Sequence, residues 1–325
     1  MKRRDFIRLI GTATGAWPLF VHAQQQETPV IGFLSGRLPA EAAAAADAFR
    51  DGLSRSGYVD GKNVSIEYRW AEGKYDRLPT LAAELIASKV GLIIATGGAE
   101  LAAKAATSTI PIVFTTGGDP VELGLVSSLN RPEGNVTGVT FLASGLGGKQ
   151  LDLLRQFAPN ASRIALLVNP TYRPTAAQIR DVQSAARKLA LRVDIFNAST
   201  ASEIDAAFAT IGRDPPDALV VGGDPVLLGK RDQIVPMAAS HALPTIYPQR
   251  EYVDAGGLMS YGTGILVGYR QAGVYAGKIL AGIKPAELPV LQPTQFDLII
   301  NLKTAKALGL VIPNALLVTA EEIIE

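Results

Sequence analysis

The chain of 325 residues contains no cysteine, and this absence removes three kinds of chemistry at once. Disulfides, thiolate nucleophiles and cysteine metal sites all need the missing side chain. Histidine is almost as scarce, with two residues. His22 lies in the N-terminal segment, and His241 stands at the end of a predicted helix, where the helix dipole favours it. We therefore expect no metal site, no cofactor and no histidine-based catalytic site.

An excess of charge of either sign is also missing, since 31 Lys and Arg residues balance 30 Asp and Glu residues. Nucleic-acid binding needs a basic face, so we predict no nucleic-acid partner. The chain has no Gly-x-Ser-x-Gly elbow and no phosphate-binding Gly-x-x-x-x-Gly-Lys-Ser/Thr loop. Asp119, Asp224 and Glu251 follow predicted strands, which leaves carboxylate catalysis by an extracytoplasmic enzyme as an alternative. The sequence as a whole predicts a protein that is not an enzyme.

The N-terminal segment has the features of an export signal. Residues 2–7, Lys-Arg-Arg-Asp-Phe-Ile, carry paired arginines at twin-arginine spacing, and an apolar stretch follows over residues 9–21. We predict a signal peptide over residues 1–23, cleaved near Ala23, and a periplasmic mature protein. The stretch is short for a membrane span; an uncleaved anchor and a disordered basic tail are the alternatives. With no cysteine after this stretch, we predict no lipid anchor.

Two parts of the chain repeat one pattern in the same order. Each has an apolar run that ends in glycines, a helix-length spacer, and a run of the form X-Pro-X-apolar-aromatic. The first part comprises residues 92–98 and 110–114, and the second comprises residues 219–224 and 243–247. Short apolar runs stopped by glycines are typical of buried parallel strands. Because open α/β sheets bind ligands beyond the carboxyl ends of their strands, two such halves predict a cleft between facing loops.

A second match, between residues 117–124 and 222–229, is out of step with this repeat. The two octapeptides begin Gly-Gly-Asp-Pro-Val and differ at one position. The first follows the predicted fourth strand of its half, whereas the second follows the third. We interpret the match as the same kind of loop occurring twice in the chain. Asp before Pro is a helix-start signal, so Asp119 and Asp224 are predicted either to cap helices or to contact a ligand, or to do both.

Strand and helix patterns alternate along most of the chain. Apolar runs predict strands over 30–34, 64–70, 91–95 and 111–114, and amphipathic segments predict helices between them. A turn-rich interruption at 130–134 precedes a second series of the same kind. This alternation predicts an α/β fold with two doubly wound parallel-sheet lobes joined by a hinge.

The predicted ligand contacts lie on loops that follow these strands. Small hydroxyls and backbone N–H groups at such loops suit a carboxylate, and tyrosines could stack on a planar or apolar ligand or pack between the lobes. Few Lys or Arg residues lie on these loops, which argues against a polyanionic ligand such as a nucleotide. The predicted contact residues are Ser35, Gly36, Thr96, Gly97, Gly98, Thr116, Gly117, Asp119, Asn169, Tyr172, Gly223, Asp224, Tyr247 and Tyr261.

Several motifs resemble one family, and they are spread over residues 29–323. The most distinctive is Arg-Pro-Glu-Gly-Asn-Val-Thr-Gly-Val at 131–139; others are Phe-Arg-Asp-Gly-Leu at 49–53, the run at 110–114, and late markers within 301–313. With these motifs the chain resembles the ABC-transporter substrate-binding family that includes tryptophan-binding proteins, a branch of the type I periplasmic binding-protein fold.

The resemblance implies three hinge crossings, with an N-terminal lobe of residues 28–141 and 264–291 and a C-terminal lobe of residues 142–263 and 292–325. It also implies a periplasmic solute-binding component of an ABC importer, which closes by hinge motion on a small polar solute and delivers it to a permease in the inner membrane. An amino acid, with an aromatic one as one option, is the leading candidate. A ligand-sensing periplasmic module for a membrane receptor is the alternative.

Overall fold

The computed structural model describes residues 28–325, so the predicted signal peptide lies outside the described residues. Within residues 28–325, no helix combines the length and the apolar character needed to cross a membrane. Two sheets, each covered by helices, form two lobes. The predicted fold class is therefore confirmed.

The first lobe is built on a parallel sheet with the strand order β2-β1-β3-β4-β5. Its central strands are buried over their whole length because helices cover both faces. The edge strand β2 is only partly buried. The strands are β1 Val30–Ser35, β2 Ser65–Trp70, β3 Leu92–Thr96, β4 Ile112–Thr116 and β5 Val136–Thr140, and the helices between them are α1 Pro39–Ser54, α2 Leu78–Ala87 and α3 Glu100–Ala106.

The second lobe repeats this order and extends it. Its strands are β6 Arg163–Val168, β7 Arg192–Asn197, β8 Ala218–Val221, β9 Thr245–Tyr247, β10 Met259–Gly262, β11 Asp297–Asn301 and β12 Glu322–Ile324. Its helices are α4 Gly147–Phe157, α5 Thr175–Lys188, α6 Ala201–Arg213, α7 Pro225–Gly229, α8 Arg231–Ser240, α9 Arg250–Asp254, α11 Leu302–Ala307 and α12 Asn314–Thr319. The order β7-β6-β8-β9-β10 matches that of the first sheet, so β3 and β4 correspond to β8 and β9.

The second sheet departs from a purely parallel one at a single pair. β11 runs antiparallel to β10, with Met259 opposite Ile300 and Tyr261 opposite Leu298. β12 then adds a parallel edge strand beyond β11, in a tail for which the sequence predicted no strand. Between β10 and β11 the chain passes through the first lobe. β11 therefore enters the second sheet from the opposite direction.

The segment that passes through the first lobe is helix α10, Ile265–Leu280, which packs against α1 and the first sheet. The two helices approach closely because small residues face each other. A Cβ on Gly273 would lie 2.6 Å from the backbone nitrogen of Leu53, and a Cβ on Gly52 would overlap the carbonyl oxygen of Arg270. An ion pair from Arg270 Nε to Asp51 Oδ2, 2.6 Å long, adds to the contact. The exact lobe boundaries remain a prediction.

Replacing Gly273 by Ala is expected to destabilise the protein by about 1–3 kcal/mol, because the methyl group has no room between the two helices. Gly148→Ala is the matched control, since its Cβ would make an ordinary contact 3.6 Å from the Cβ of Ala185. Urea unfolding of both variants measures the difference. Equal midpoints for the two would contradict the close packing of α1 on α10.

Candidate functional site

The carboxyl ends of the two sheets face each other across a cavity. In each sheet the strand order reverses beside the first strand, between β1 and β3 and between β6 and β8, and such reversal points are where open α/β sheets bind ligands. The loops after these strands contribute to the wall. The cavity is lined by Arg37, Gly97, Thr115, Gly117, Phe141, Ala143, Tyr172, Gly223, Asp224, Pro225, Leu228, Gln249, Ile265 and Tyr269.

Asp224 is the most connected group in this wall. Its Oδ1 accepts a hydrogen bond of 2.7 Å from the backbone N–H of Leu227 and so caps the short helix α7. Its Oδ2 accepts hydrogen bonds from Asn169 Nδ2 at 3.3 Å and, across the cleft, from the hydroxyl of Tyr75 at 3.1 Å. Burial raises the pKa of this carboxyl to about 6. The same side chain therefore caps a helix and faces the opposite lobe.

Asp119, in the matching octapeptide, caps a turn and not a helix, because no helix forms between β4 and β5; the predicted helix start at Asp119 is therefore wrong. Its Oδ1 accepts hydrogen bonds from the backbone N–H groups of Val121 at 2.7 Å and Glu122 at 3.2 Å. The side chain is partly exposed and lines an outer groove together with Arg173 and Arg180. The two octapeptides thus share an aspartate that accepts backbone hydrogen bonds, but only Asp224 begins a helix, and Asp119 does not line the inner cavity.

The two predicted threonines are paired within the protein. Thr96 shares a hydrogen bond with the hydroxyl of Tyr269, and Thr116 donates a hydrogen bond of 2.8 Å to Glu100 Oε1. Glu100 is buried, and this burial raises its pKa to about 7. The neighbouring Thr115 lines the cavity instead. Strands place alternate side chains on opposite faces, so a shift of one residue decides which threonine reaches the cavity.

Buried polar atoms without a hydrogen-bond partner gather at this cleft. Arg37 Nε, Thr115 Oγ1 and Gln249 Oε1 belong to residues that line the cavity. Glu100 Oε2 and the hydroxyl of Tyr252 are also unpaired. Buried polar groups are nearly always paired, and leaving one unpaired costs about 1–3 kcal/mol. The cavity wall therefore offers both donors and acceptors to a polar ligand.

The other predicted residues have diverse surroundings. Gly36, Gly97 and Gly98 form the loops after β1 and β3, Gly223 bonds through its backbone to Gln178, and Tyr172 lies in the cavity wall. Ser35 Oγ accepts a hydrogen bond from the backbone of Arg37.

Two predicted tyrosines do not line the cavity. Tyr247 is fully buried and stacks on Tyr252, with ring centroids 4.7 Å apart. Tyr261 stacks on Phe296 at 6.1 Å, in a groove with α12. Both lie at the ends of strands, Tyr247 in β9 and Tyr261 in β10, and their side chains pack against Tyr252 and Phe296 and do not reach the cavity.

Sequence reasoning missed several residues of the wall. Arg37 directly follows the predicted Ser35-Gly36 loop, and Gln249 follows β9, so their positions after strands were available as a signal. Phe141 and Tyr269 lie at or beside the crossings between the lobes, where no motif marks them. Among residues 28–325, no cluster of His, Asp and Glu side chains is arranged to hold a metal ion.

Comparison with known proteins agrees with this geometry. The family model for ABC transporter substrate binding proteins matches residues 29–324. A tyrosine-binding protein of Clostridioides difficile (strain R20291) is 31% identical over 266 residues, which cover 81% of this chain and 75% of that protein. The chain therefore belongs to the ABC transporter substrate-binding protein family, which confirms the resemblance read from its motifs. It is a substrate-binding protein of type I periplasmic fold, not an enzyme.

Two solved structures, each 26% identical and aligned over 91% of this chain, differ in how well they superpose. The ABC domain of Streptococcus pneumoniae in complex with L-Trp gives a TM-score of 0.83, with 100% of that chain covered. The ligand-free, open form of a substrate-binding protein with adhesive properties from Clostridium difficile gives 0.63, with 99% covered. In the present structure the lobes are close together at the cleft, because the hydroxyl of Tyr75 in the first lobe lies 3.1 Å from Asp224 Oδ2 in the second.

Replacing Glu100 by Gln is expected to remove a pH dependence of stability. From the ordinary glutamate pKa near 4.5 up to about 7, the folded protein keeps a proton on Glu100 that the unfolded chain has lost. Raising the pH through this window should therefore destabilise the ligand-free protein, by about 1–3 kcal/mol relative to Glu100→Gln. Urea unfolding at pH 5 and pH 8 measures this, with the exposed Glu84→Gln as control. Parallel curves for wild type and Glu100→Gln would contradict it.

Proposed function

We propose that the chain is the periplasmic solute-binding component of an ABC importer and that it closes by hinge motion on a free amino acid, delivered afterwards to a permease in the inner membrane. The observation that carries this proposal is the set of unpaired, buried polar atoms around the cavity between the lobes. If the two lobes only packed against each other here, we would expect their buried polar atoms to be hydrogen-bonded to each other. The amino-acid-binding relatives support the choice of ligand.

The carboxylate end of such a ligand fits the Arg37 side of the cavity. The Arg37 side chain is 5% exposed, and one guanidinium nitrogen is fixed on the carbonyl oxygen of Glu41, while Nε has no partner. A guanidinium is the preferred protein partner of a carboxylate, and the hydroxyl of Thr115 adds a second donor. This assignment replaces Thr96 and Thr116, whose hydroxyls are engaged elsewhere.

The ammonium end fits the acceptors on the second lobe. Asp224 Oδ2 and Gln249 Oε1 both belong to the cavity wall, and Gln249 Oε1 has no partner. The rest of the wall is apolar or aromatic, with Phe141, Leu228 and Ile265. This combination suits a zwitterion with an apolar or aromatic side chain.

Ligand identity can be read directly from the purified protein. We expect native mass spectrometry of gently purified protein to show a bound amino acid, and calorimetry of the stripped protein to detect binding of L-tyrosine or L-tryptophan. Arg37→Gln should weaken that binding roughly 10- to 100-fold, because it removes a charge-assisted hydrogen bond to the carboxylate. Arg250→Gln, on the outer face, is the control. Release of a chemically altered ligand, or binding of none of the twenty amino acids, would contradict the proposal.

Ligand binding is expected to release a proton near pH 6. Burial raises the pKa of Asp224 to about 6, and a neighbouring ammonium group would lower it. Because the bound state then holds fewer protons, affinity should rise between pH 5 and pH 7. Calorimetry at pH 6 in two buffers of different ionisation enthalpy measures the released proton. Asp224→Asn should abolish this release, and an unchanged buffer dependence in that variant would assign the proton to another group.

Export is a separate part of the proposal and rests on residues 2–7. Replacing Arg3 and Arg4 together by Lys is expected to retain the protein in the cytoplasm of a bacterial host, because the paired arginines are read by the twin-arginine route. Cell fractionation measures this, with Lys2→Arg as control. Normal appearance of the double variant in the periplasm would contradict this route.

A further inference from the structure

Tyr75 lies beside two cavities and is not among the predicted ligand contacts. Its ring lines an outer cavity, together with Gly98, Glu100 and Tyr172. Its hydroxyl reaches Asp224, which lines the inner cavity. Tyr172 lines both cavities. The ring of Tyr75 is thus part of the partition between the inner cavity and the outside.

The loops that follow β1 and β3 are shaped to hold this ring. A Cβ on Gly36 would lie 2.6 Å from Tyr75 Cε1, and a Cβ on Gly98 would lie 2.9 Å from the same atom. Real Cβ atoms do not approach a ring carbon so closely, so any larger residue at either position would displace the ring. Two of the glycines that the sequence assigned to a ligand therefore also provide the space for Tyr75.

The segment that carries Tyr75 is fixed to the first lobe. The backbone N–H of Ala71 donates to the carbonyl of Ser35 at 2.8 Å, and that of Gly73 donates to the carbonyl of Gly36 at 2.7 Å. Glu72 and Gly73 both have left-handed backbone angles, with φ of 56° and 82°. This turn places Tyr75 at the start of a short 3-10 helix, Tyr75–Arg77.

On the opposite side, Tyr75 contacts groups of the second lobe. Its hydroxyl donates to Asp224 Oδ2 at 3.1 Å, and its ring centroid lies 6.2 Å from that of Tyr172. Burial and then the charge of Asp224 raise the pKa of this phenol well above its ordinary value. It therefore keeps its proton at neutral pH and remains a donor. Opening the lobes must break this hydrogen bond.

A second polar contact also crosses the cleft, between Arg180 and Glu122. Both side chains are more than half exposed, and exposed ion pairs contribute little because water screens them. The bond from Tyr75 to the buried Asp224 is therefore the stronger constraint on opening.

We propose that Tyr75 is a gate and a positioning residue, which holds Asp224 Oδ2 in place and delays ligand escape from the closed cleft. The proposal rests on the proposed function for its ligand, but the bond itself is made between two side chains of the protein. Two consequences follow. Tyr75 favours the closed arrangement in the ligand-free protein, and it lengthens the residence time of a bound amino acid.

Tyr75→Phe tests both consequences, because it keeps the ring and removes only the hydroxyl. Tyr68→Phe is the matched control, since the hydroxyl of Tyr68 accepts a hydrogen bond from Arg50 inside the first lobe. The absence of cysteine allows spin labels at two introduced cysteines, Ala83→Cys on α2 and Arg187→Cys on α5, both at exposed positions. Double electron–electron resonance between the two spin labels then measures the distance between the lobes in the absence of ligand.

We expect Tyr75→Phe to reduce the closed fraction of the ligand-free protein and to raise the dissociation rate of radiolabelled L-tyrosine or L-tryptophan about 3- to 30-fold. The unfolding midpoint should change no more than in Tyr68→Phe. Interlobe distances and dissociation rates equal to those of the control would overturn the proposal. If neither amino acid binds the wild type, the proposed ligand is wrong, and the ligand-free distances alone decide whether Tyr75 is a gate.

Discussion

The closed arrangement of this protein depends on one carboxylate that serves both lobes. Asp224 caps a helix of the second lobe with one oxygen and accepts a hydrogen bond from the first lobe with the other. The side chain is 3% exposed, so water screens these hydrogen bonds only weakly. The geometry of the ligand cavity, the protonation of its wall and the contact between the lobes are consequently coupled through this group.

The fold could be predicted from the sequence because the informative features are local. Buried parallel strands leave short apolar runs, and the loops that follow them need glycine. The in-register repeat placed β3 with β8 and β4 with β9, and both sheets show this equivalence. The reversed direction of β11 had no such signal, since an apolar run reads the same in either direction.

The site could be predicted only to the level of its loops. The loops after β1, β3, β6 and β8 do surround the cavity, but the sequence does not tell which side chain of a loop turns toward it. Thr115 and Thr116 are neighbours with opposite surroundings, one in the cavity wall and one bonded to Glu100. Tyr75 lies after an edge strand, in a segment without a motif, and its role depends on a contact 149 residues away.

The helix α10 has a consequence for how the chain can be divided. The first sheet is complete by residue 140, yet one face of α1 is covered only when residues 265–280 pack against it. The second sheet, likewise, acquires β11 and β12 after that excursion. Cutting the chain between the sheets would leave each half with an uncovered apolar face. A single cut in the chain therefore cannot separate one complete lobe from the other.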